Sequence, residues 1–231
     1  QDMAPAATYD GKIFLEEPYK LATSPNGNGG WFSSLKNAGL LDLIHENGIE
    51  WLNVFAVDNV LQRIADPCFI GATITENRSV GAKVVCKNHP DEKVGVMCLK
   101  DNHPSIVEYY ELTPELRDAV DEDGEPAYNF GVILNYLFKE SELEDICENT
   151  LPLHIVEKKI PYIDDAGTLI KPEEPNGYKF ETLILDMIQM MDTCLPFEVE
   201  RDKEFAPIKN KTGIDSVESA RALLAKNGVT L

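Results

Sequence analysis

The sequence IEWLNVFAVDN at residues 49–59 decides the fold class of this chain. Residues 49–57 are mostly apolar, which is typical of a strand that is covered on both faces of a sheet. Strand-like and helix-like patterns alternate on either side of this run, and they predict a layered α/β fold with a partly parallel sheet. Asp58 and Asn59 end the strand. The carboxylate of Asp58 is therefore expected at the carboxyl edge of the sheet, where open α/β folds bind ligands.

The charge of the chain excludes several classes of partner. Among its 231 residues, 40 are acidic and 21 are basic, which gives a formal net charge of −19. Such a surface repels DNA, RNA and anionic lipid, and no cluster of Lys or Arg provides a local exception. No apolar run approaches the roughly 20 residues of a membrane span. We therefore expect neither a nucleic-acid nor a membrane partner. The five scattered cysteines predict reduced thiols in a cytoplasmic protein.

Local patterns predict the elements around this strand. Helical patterns cover about residues 31–46, and strands are expected at 81–87, 94–99 and 105–110. A further helix should begin after Thr113, which is an N-cap residue followed by proline.

The last third of the chain contains a clear amphipathic pattern. Its apolar residues follow helical spacing and form one face: Phe180, Leu183, Ile184, Met187, Ile188 and Met191. Asp215 and Glu218 have capping-box-like spacing before a closing helix. Residues 60–64, which follow Asp58, are expected to start a helical turn.

Two features of the sequence could bind a phosphorylated ligand. The loop SPNGNGG at residues 24–30 has three glycines within four positions, which lets the backbone approach a ligand and exposes amides at a helix start. An ordinary structural turn explains the same residues equally well. Asp58 could hold Mg²⁺, which prefers carboxylate and phosphate oxygens. Its alternative role is to cap a following helix.

Two lysines complete the set of candidates. Lys179 lies at the start of the predicted amphipathic helix, where its charge opposes the helix macrodipole, so a bound anion could offset the cost. Lys209 follows the segment at residues 204–208. Surface solvation is the ordinary role of a lone lysine. A chain with this net charge would nevertheless need such local cations, together with a metal ion, to bind a polyphosphate.

These motifs resemble those of a known family. The loop at residues 24–30 resembles the P-D-G-N-G-G loop of the eukaryotic-type UDP-sugar pyrophosphorylases, above all the UDP-N-acetylglucosamine pyrophosphorylases, and residues 1–6 are similar to the family's Q-G-M-L-P-A. Further matches follow in the family's order over nearly the whole chain, at Val57-Asp58-Asn59, Ala65-Asp66-Pro67, Phe69-Ile70-Gly71, Gly81-Ala82-Lys83-Val84-Val85, Val94-Gly95-Val96, Val107-Glu108-Tyr109, Lys158-Lys159-Ile160-Pro161-Tyr162, Pro175-Asn176-Gly177, Glu204-Phe205 and Lys209-Asn210.

The resemblance implies a Rossmann-like nucleotidyltransferase domain with a mixed, mostly parallel sheet. It implies a reaction in which UTP and a sugar 1-phosphate give a UDP-sugar and pyrophosphate, with Mg²⁺ as cofactor and without a covalent enzyme intermediate. The motifs favour N-acetylglucosamine 1-phosphate as the sugar substrate. The implied site residues are Gln1, Gly27 and Asn28 at the uracil and ribose, Asp58 at Mg²⁺, Gly95 and Glu108 at the sugar hydroxyls, and Lys179 and Lys209 at the phosphates.

The chain departs from the family pattern in the expected sugar pocket. Val132 stands where a sugar-contacting asparagine is expected, and valine can neither donate nor accept that hydrogen bond. Leu183 and Leu185 replace aromatic residues of the pocket. Synthesis of UDP-glucose, or of a broader set of UDP-sugars, is therefore the alternative substrate assignment.

A second departure concerns the phosphate-binding loop. The family's L-x-x-G-x-G-T-R-x-G sequence lies before the segment that matches residue 1, and nothing here resembles it. We therefore expect residues 1–231 to be the central and C-terminal part of one nucleotidyltransferase catalytic domain, incomplete at the N-terminus, with little or no turnover by itself. A non-catalytic module that binds sugar nucleotides is the alternative from another functional class.

Overall fold

The computed structural model describes residues 2–147 and 149–230. Within these ranges the strands, in chain order, are β1 (Met3–Pro5), β2 (Ala7–Thr8), β3 (Leu15–Glu17), β4 (Lys20–Leu21), β5 (Thr23–Pro25), β6 (Trp51–Phe55), β7 (Val80–Cys86), β8 (Val96–Lys100), β9 (His103–Val107), β10 (Phe130–Lys139), β11 (His154–Lys158), β12 (Tyr162–Ile163), β13 (Leu169–Ile170), β14 (Gly177–Glu181) and β15 (Cys194–Glu198). The helices are α1 (Trp31–Asn37), α2 (Leu41–Glu46), α3 (Pro67–Thr75), α4 (Pro114–Arg117), α5 (Glu140–Ile146), α6 (Ile184–Gln189), α7 (Arg201–Glu204) and α8 (Val217–Lys226).

The chain divides into two compact units. The first comprises residues 2–47 with 146–187, and the second comprises residues 48–145 with 188–230. In the first unit, β14 lies between β11 and β2 in an antiparallel sheet. The buried apolar cluster of this unit consists of Ala6, Phe14, Ala22 and Ile160, with Tyr162 packed against it. In neither unit does a helix of the described ranges reach the length and apolar character that a bilayer span requires.

The second unit is built on a six-stranded mixed sheet. The long strand β10 pairs with β7 along one edge and with β6 and β8 along the other, in each case antiparallel. Strand β9 is antiparallel to β8, and β15 is parallel to β7. The mixed sheet is thus confirmed, but the expectation that it is mostly parallel is wrong, because β10 is inserted between β6 and β7. The strands β6, β7, β8 and β15 still run in one direction, so their carboxyl ends lie at one edge.

Most of the predicted elements near this sheet are confirmed. The helical region at residues 31–46 forms α1 and α2, and the strands predicted from 81 to 110 form β7 and the β8–β9 hairpin. Thr113 caps α4 as predicted, since its Oγ1 accepts the Leu116 N–H at 3.4 Å. Within residues 49–57 only Trp51–Phe55 form the strand β6, which is half-buried rather than covered on both faces.

The prediction of an amphipathic helix that includes Phe180 is wrong for the first residues of that helix. Residues Gly177–Glu181 form the strand β14, and the helix begins only at Ile184. The strand forms because β11 and β2 pair with its two edges, and such tertiary pairing overrides a local helical pattern. Gly177 permits the close approach, since a β-carbon there would lie 2.3 Å from the Ala7 carbonyl oxygen.

Two smaller predictions also need correction. Residues 60–64 form turns and not the start of a helix. The closing helix α8 is present, but a reciprocal pair of hydrogen bonds between Ser216 and Ser219 caps it, rather than Asp215 and Glu218. The capping box lies one residue after the predicted pair, because serine hydroxyls can form the same reciprocal hydrogen bonds.

A buried ion cluster joins the sheet to the loops at its carboxyl edge. Lys83 of β7 is fully buried, and its ammonium lies 2.8 Å from Asp66 Oδ2 and 2.5 Å from Glu204 Oε2. Both carboxylates are buried, and the exposed Arg63 guanidinium lies 3.5 Å from Glu204 Oε1. Burial by itself would raise the pKa of Asp66, but the hydrogen bond and charge of Lys83, with the Cys68 N–H, hold this pKa below its ordinary value of 3.8. Charges persist in such an interior only when they are paired.

We predict that Lys83→Met lowers the free energy of unfolding by about 3–5 kcal/mol, because Asp66 and Glu204 then remain buried without the ammonium. Urea denaturation followed by circular dichroism at neutral pH measures the change. Lys203→Met is the matched control. Lys203 pairs with Glu200 on the surface, so its loss should leave stability nearly unchanged.

The same cluster predicts a pH dependence. Because the folded-state pKa of Asp66 is depressed, its stabilisation is complete above the unfolded-state pKa and is lost as the pH falls through the folded-state value. The stability difference between the wild type and Lys83→Met should therefore narrow below about pH 4. A difference that stays constant from neutral pH to about pH 3 would contradict this assignment.

Candidate active site at the carboxyl edge of the sheet

A bulge in β10 organises the candidate site of the second unit. The register of β10 against β7 shifts between Val132 and Tyr136, and Leu134 has a φ of +48°, which is uncommon for a residue other than glycine. Here the Val132 N–H donates to the Gly95 carbonyl oxygen at 2.9 Å, and the Leu134 carbonyl oxygen accepts the Ala56 N–H at 2.9 Å. One short segment of β10 therefore holds both the start of β8 and the chain that leaves β6.

An amide network satisfies the polar groups of this bulge. Asn135 is fully buried, donates to Gln62 Oε1 at 2.7 Å and accepts from Asn53 Nδ2 at 2.8 Å. Gln62 in turn donates to the Leu134 carbonyl oxygen at 3.3 Å, and Asn53 accepts the Ala65 N–H at 2.9 Å. Buried polar groups are stable only with such partners. The network thereby fixes the loop between β6 and α3, which carries Asp58.

The two predicted sugar-binding residues of this unit are neighbours. A β-carbon at Gly95 would lie 3.7 Å from Glu108 Oε1 and 3.3 Å from Val132 Cγ2. The same β-carbon would lie 3.1 Å from Ile106 Cγ2, so Gly95 is closely packed, with Val132 and the Glu108 carboxylate as its neighbours. Burial raises the pKa of Tyr136, and the Glu108 charge raises it further, so this phenol is neutral at physiological pH. Val132, the departure from the family pattern, thus lies directly against the expected sugar contacts.

Asp58 lies at the predicted place, just beyond the carboxyl end of β6. Its side chain is half-buried, and in the described part of the chain no hydrogen bond or ion pair engages its carboxylate. The alternative role of Asp58 as a helix cap is wrong: Asp66 caps α3, and its Oδ1 accepts the Cys68 N–H at 3.1 Å. A half-buried carboxylate whose oxygens are not engaged by the described residues is a suitable ligand for Mg²⁺.

The chain segment that contains Lys209 is hydrogen-bonded through its backbone to the Asp58 loop. The Ile208 N–H donates to the Asp58 carbonyl oxygen at 2.9 Å. The segment before Lys209 packs under α8 in an apolar cluster of Leu61, Ala206, Ala220, Ile208, Leu223 and Leu224. The Lys209 side chain is exposed, and within residues 2–147 and 149–230 its ammonium pairs with no acid. The backbone segments that carry Asp58 and Lys209 are therefore hydrogen-bonded neighbours.

The glycine loop of the first unit is tied to the end of β14. Gly27 has a φ of +86°, and a β-carbon there would lie 2.2 Å from the Thr182 carbonyl oxygen. The Gly29 N–H donates to the same oxygen at 2.9 Å. These contacts bear out the structural-turn reading of the loop, and they leave its ligand-binding role as a separate prediction.

Asn28 has a structural role that its sequence context did not predict. Its Oδ1 accepts the Ile184 N–H at 2.9 Å, at the first residue of α6. This hydrogen bond satisfies one of the free N–H groups at the helix start. No acceptor among the described residues engages the Nδ2 of Asn28, so this group could donate to a bound nucleoside. Gln1, the other residue predicted at the uracil, lies outside the described residues.

Lys179 lies in the middle of β14 and not at a helix N-terminus, so the prediction that it opposes a helix macrodipole is wrong. Its half-buried side chain lines a cavity of 320 Å³ in the first unit, together with Glu16 and Glu17. Both acids already contact Lys20. Among the residues that the structure describes, none forms an ion pair with Lys179, so its role at a phosphate stays a prediction.

Sequence reasoning missed the residues that hold the site together. The family motifs include Lys83, Glu204 and Asn59, but the sequence analysis assigned no role to these residues or to Gln62. One signal was available, since Lys83 interrupts an otherwise apolar strand, VGAKVVC, and a buried ammonium requires acidic partners. No local signal identified which acids those are.

Comparisons with known proteins identify the family of this chain. The sequence model of the family described as UTP–glucose-1-phosphate uridylyltransferase matches residues 1–230. The chain is 41% identical to UDP-N-acetylhexosamine pyrophosphorylase-like protein 1 of Mus musculus over 98% of its own length and 46% of the relative's. It is 38% identical to UDP-N-acetylglucosamine pyrophosphorylase of Saccharomyces cerevisiae over 100% of its own length and 50% of the relative's. The chain therefore spans about half the length of these curated relatives.

A solved structure supports the fold. The uridine diphosphate N-acetylglucosamine pyrophosphorylase from Trypanosoma brucei, in complex with an inhibitor, superimposes with a TM-score of 0.82 at 26% identity, over 98% of this chain and 46% of that one. The α/β nucleotidyltransferase-like fold implied by the motifs is thereby confirmed. Because the family match runs from residue 1 to residue 230 and the relatives exceed 30% identity over nearly the whole chain, this chain belongs to the UTP–glucose-1-phosphate uridylyltransferase family.

Proposed function

We propose that this chain is part of a uridylyltransferase that converts UTP and a sugar 1-phosphate into a UDP-sugar and pyrophosphate. The observation that carries the proposal is the placement of Asp58 and Lys209 on two hydrogen-bonded segments at one edge of the sheet. A polyphosphate approaching a chain of net charge −19 needs both a metal-binding carboxylate and a cation at the same place. Membership of the family supports this reaction class.

The residues would act by position and charge. In the reaction an oxygen of the sugar 1-phosphate attacks the α-phosphorus of UTP, and the bond from that phosphorus to the oxygen bridging it to the β-phosphorus breaks as pyrophosphate leaves. No protein nucleophile is needed. Lys209 of the second unit would stabilise negative charge on the phosphates. In the first unit, the family resemblance assigns Lys179 to the phosphates and Gly27 and Asn28 to the uridine.

Asp58 is the residue that would hold Mg²⁺. Its donor chemistry fits, because Mg²⁺ is usually held by one or two carboxylates and completes its coordination with substrate phosphates and water. When bound, the ion would neutralise charge on the phosphates of UTP. The amide network of Asn53, Gln62 and Asn135 would keep the Asp58 loop in place during this process.

Gly95 and Glu108 would bind the sugar. We propose N-acetylglucosamine 1-phosphate as the substrate, because the relatives at 36–41% identity carry the names of N-acetylglucosamine or N-acetylhexosamine pyrophosphorylases. Glucose 1-phosphate is the second candidate. The observation that favours it is Val132, whose methyl group faces Gly95 where a polar contact to the sugar was expected.

We further propose a cytoplasmic location without nucleic-acid or membrane partners. Cys68, Cys86, Cys98 and Cys194 form no disulfide in the structure, which agrees with a reducing compartment. Burial raises the pKa of Cys194 to about 12, so this thiol is unreactive at neutral pH.

The decisive experiment is pyrophosphate release from UTP with each of the two sugar phosphates. It is performed on residues 1–231 and on the longest protein that the gene encodes. We expect Mg²⁺-dependent release and the matching UDP-sugar from a protein that contains the phosphate-binding loop, and little or no turnover from residues 1–231 alone. Binding of UDP-sugar by the longer protein without turnover would favour the non-catalytic module. If the longer protein shows no binding of UDP-sugar and no turnover, the proposal is overturned.

Asp58→Asn should reduce kcat at least 100-fold in the active protein, because the amide is a far weaker Mg²⁺ ligand than the carboxylate. Raising the Mg²⁺ concentration should recover part of the activity. Asp101→Asn is the control: Asp101 lies in the β8–β9 turn with a φ of +52°, a conformation that asparagine tolerates, and its replacement should leave kcat unchanged.

Lys209→Ala should lower kcat about 10- to 1,000-fold through loss of charge stabilisation on the phosphates. Lys211→Ala removes an exposed lysine two residues further along and should have little effect. Steady-state kinetics at saturating Mg²⁺ measure both variants. Equal rates for Lys209→Ala and Lys211→Ala would show that Lys209 does not contact the phosphates.

Val132→Asn should shift sugar preference. A polar amide beside Gly95 and Glu108 can hydrogen-bond the sugar, whereas the valine methyl cannot. We expect the ratio of kcat/KM for N-acetylglucosamine 1-phosphate over glucose 1-phosphate to rise about 10-fold. The isosteric variant Val132→Thr controls for shape. An unchanged ratio in Val132→Asn would place the sugar elsewhere.

A further inference from the structure

The side chain of Asn59 joins its own loop to the segment at residues 204–206. Asn59 is 4% exposed, and its Nδ2 donates to the Glu204 carbonyl oxygen at 2.8 Å. Its Oδ1 accepts the Ala206 N–H at 2.8 Å and the Leu61 N–H at 3.3 Å. The side chain thus donates and accepts at once, which an ionised aspartate of the same shape could not do.

Backbone hydrogen bonds extend this connection. The Val60 N–H donates to the Ala206 carbonyl oxygen at 3.3 Å, and the Ile208 N–H donates to the Asp58 carbonyl oxygen at 2.9 Å. The two segments also meet in an isolated antiparallel bridge between Asn59 and Pro207. Asp58 therefore lies opposite Ile208, Lys209 is the next residue along the chain, and the Asn59 side chain adds three hydrogen bonds to this pairing.

The segment that Asn59 holds is itself fixed to the sheet. The Glu204 carboxylate contacts the ammonium of Lys83 in β7, while the Glu204 carbonyl oxygen accepts the Asn59 amide. Asp66, at the far end of the Asp58 loop, contacts the same ammonium. Both segments are thus anchored to one buried charge, and the Asn59 side chain is hydrogen-bonded across them.

We propose that Asn59 is a positioning residue that fixes the spacing between the Asp58 carboxylate and the Lys209 ammonium, so that both groups reach one polyphosphate. This inference rests on the proposed function. Asn59 touches no substrate and acts through the two backbone segments. Spacing matters because a misplacement of about 1 Å costs on the order of 100-fold in rate.

Two substitutions separate this role from simple packing. Asn59→Asp keeps the shape and the acceptor oxygen, but it turns a second oxygen towards the Glu204 carbonyl oxygen, and two acceptors repel. Asn59→Ala removes all three side-chain hydrogen bonds. Asn227→Ala is the matched control, since its Nδ2 makes two similar bonds, to the Asp202 and Leu223 carbonyl oxygens, at the end of α8.

The first test measures binding to residues 1–231 by calorimetry, with Mn²⁺ alone and with inorganic pyrophosphate in the presence of Mn²⁺. Both Asn59 variants should bind Mn²⁺ within about twofold of the wild type, because the Asp58 carboxylate is intact. Their affinity for pyrophosphate should fall about tenfold, because the spacing is lost. Thermal melts confirm that each sample is folded, and Asn59→Asp carries the test if Asn59→Ala does not fold. Wild-type pyrophosphate affinity in a folded variant overturns the proposal.

The second test is a double-mutant cycle on the active, longest protein. Asn59→Ala should lower kcat about 10- to 100-fold with little change in KM, and Lys209→Ala should cost much less in the Asn59→Ala background than in the wild type. Independent, multiplicative effects would mean that Asn59 is merely structural. If the wild type makes no UDP-sugar but the pyrophosphate result holds, the proposed function fails and the positioning role stands. If the wild type turns over and the cycle is multiplicative, the positioning role fails and the function stands.

Discussion

The buried ammonium of Lys83 ties the sheet of the second unit to the loops at its carboxyl edge. A charge in this interior must be met by opposite charges, and both carboxylates that meet it, Asp66 and Glu204, begin or end segments with candidate functional residues. Asp66 closes the Asp58 loop and caps α3. Glu204 leads into the segment of Lys209. One ion cluster therefore fixes the base of both segments, and Asn59 fixes their separation above it.

The bulge in β10 fixes the backbone around the predicted sugar contacts of the second unit. Val132 and Leu134 lie two residues apart, yet their backbones hold Gly95 and the chain that leaves β6. The predicted metal, phosphate and sugar contacts of this unit are thus linked through neighbouring backbone groups. Such an arrangement provides charges and fixed positions, which suits the direct transfer of a nucleotidyl group between phosphate oxygens.

The parts that the sequence predicted well have local causes. The cap at Thr113 and the strands of the β8–β9 hairpin depend on contacts within a few residues, and both are found. The position of Asp58 beyond a strand also followed from a local pattern. The predicted helix around Phe180 failed because its first residues pair with strands distant in the sequence, and Lys179 was misplaced with it.

The sequence by itself determined the α/β class, the motifs of the family and the identity of the charged candidates. These properties depend on the amino-acid composition and on sequence patterns that span a few residues. Only the tertiary structure decided that β10 runs antiparallel between β6 and β7, that Asn28 caps α6, and that Glu204, 121 residues from Lys83, completes the buried ion cluster. The reason is physical: a strand edge, a helix start or a buried charge specifies what kind of partner it needs, and folding decides which residue supplies it.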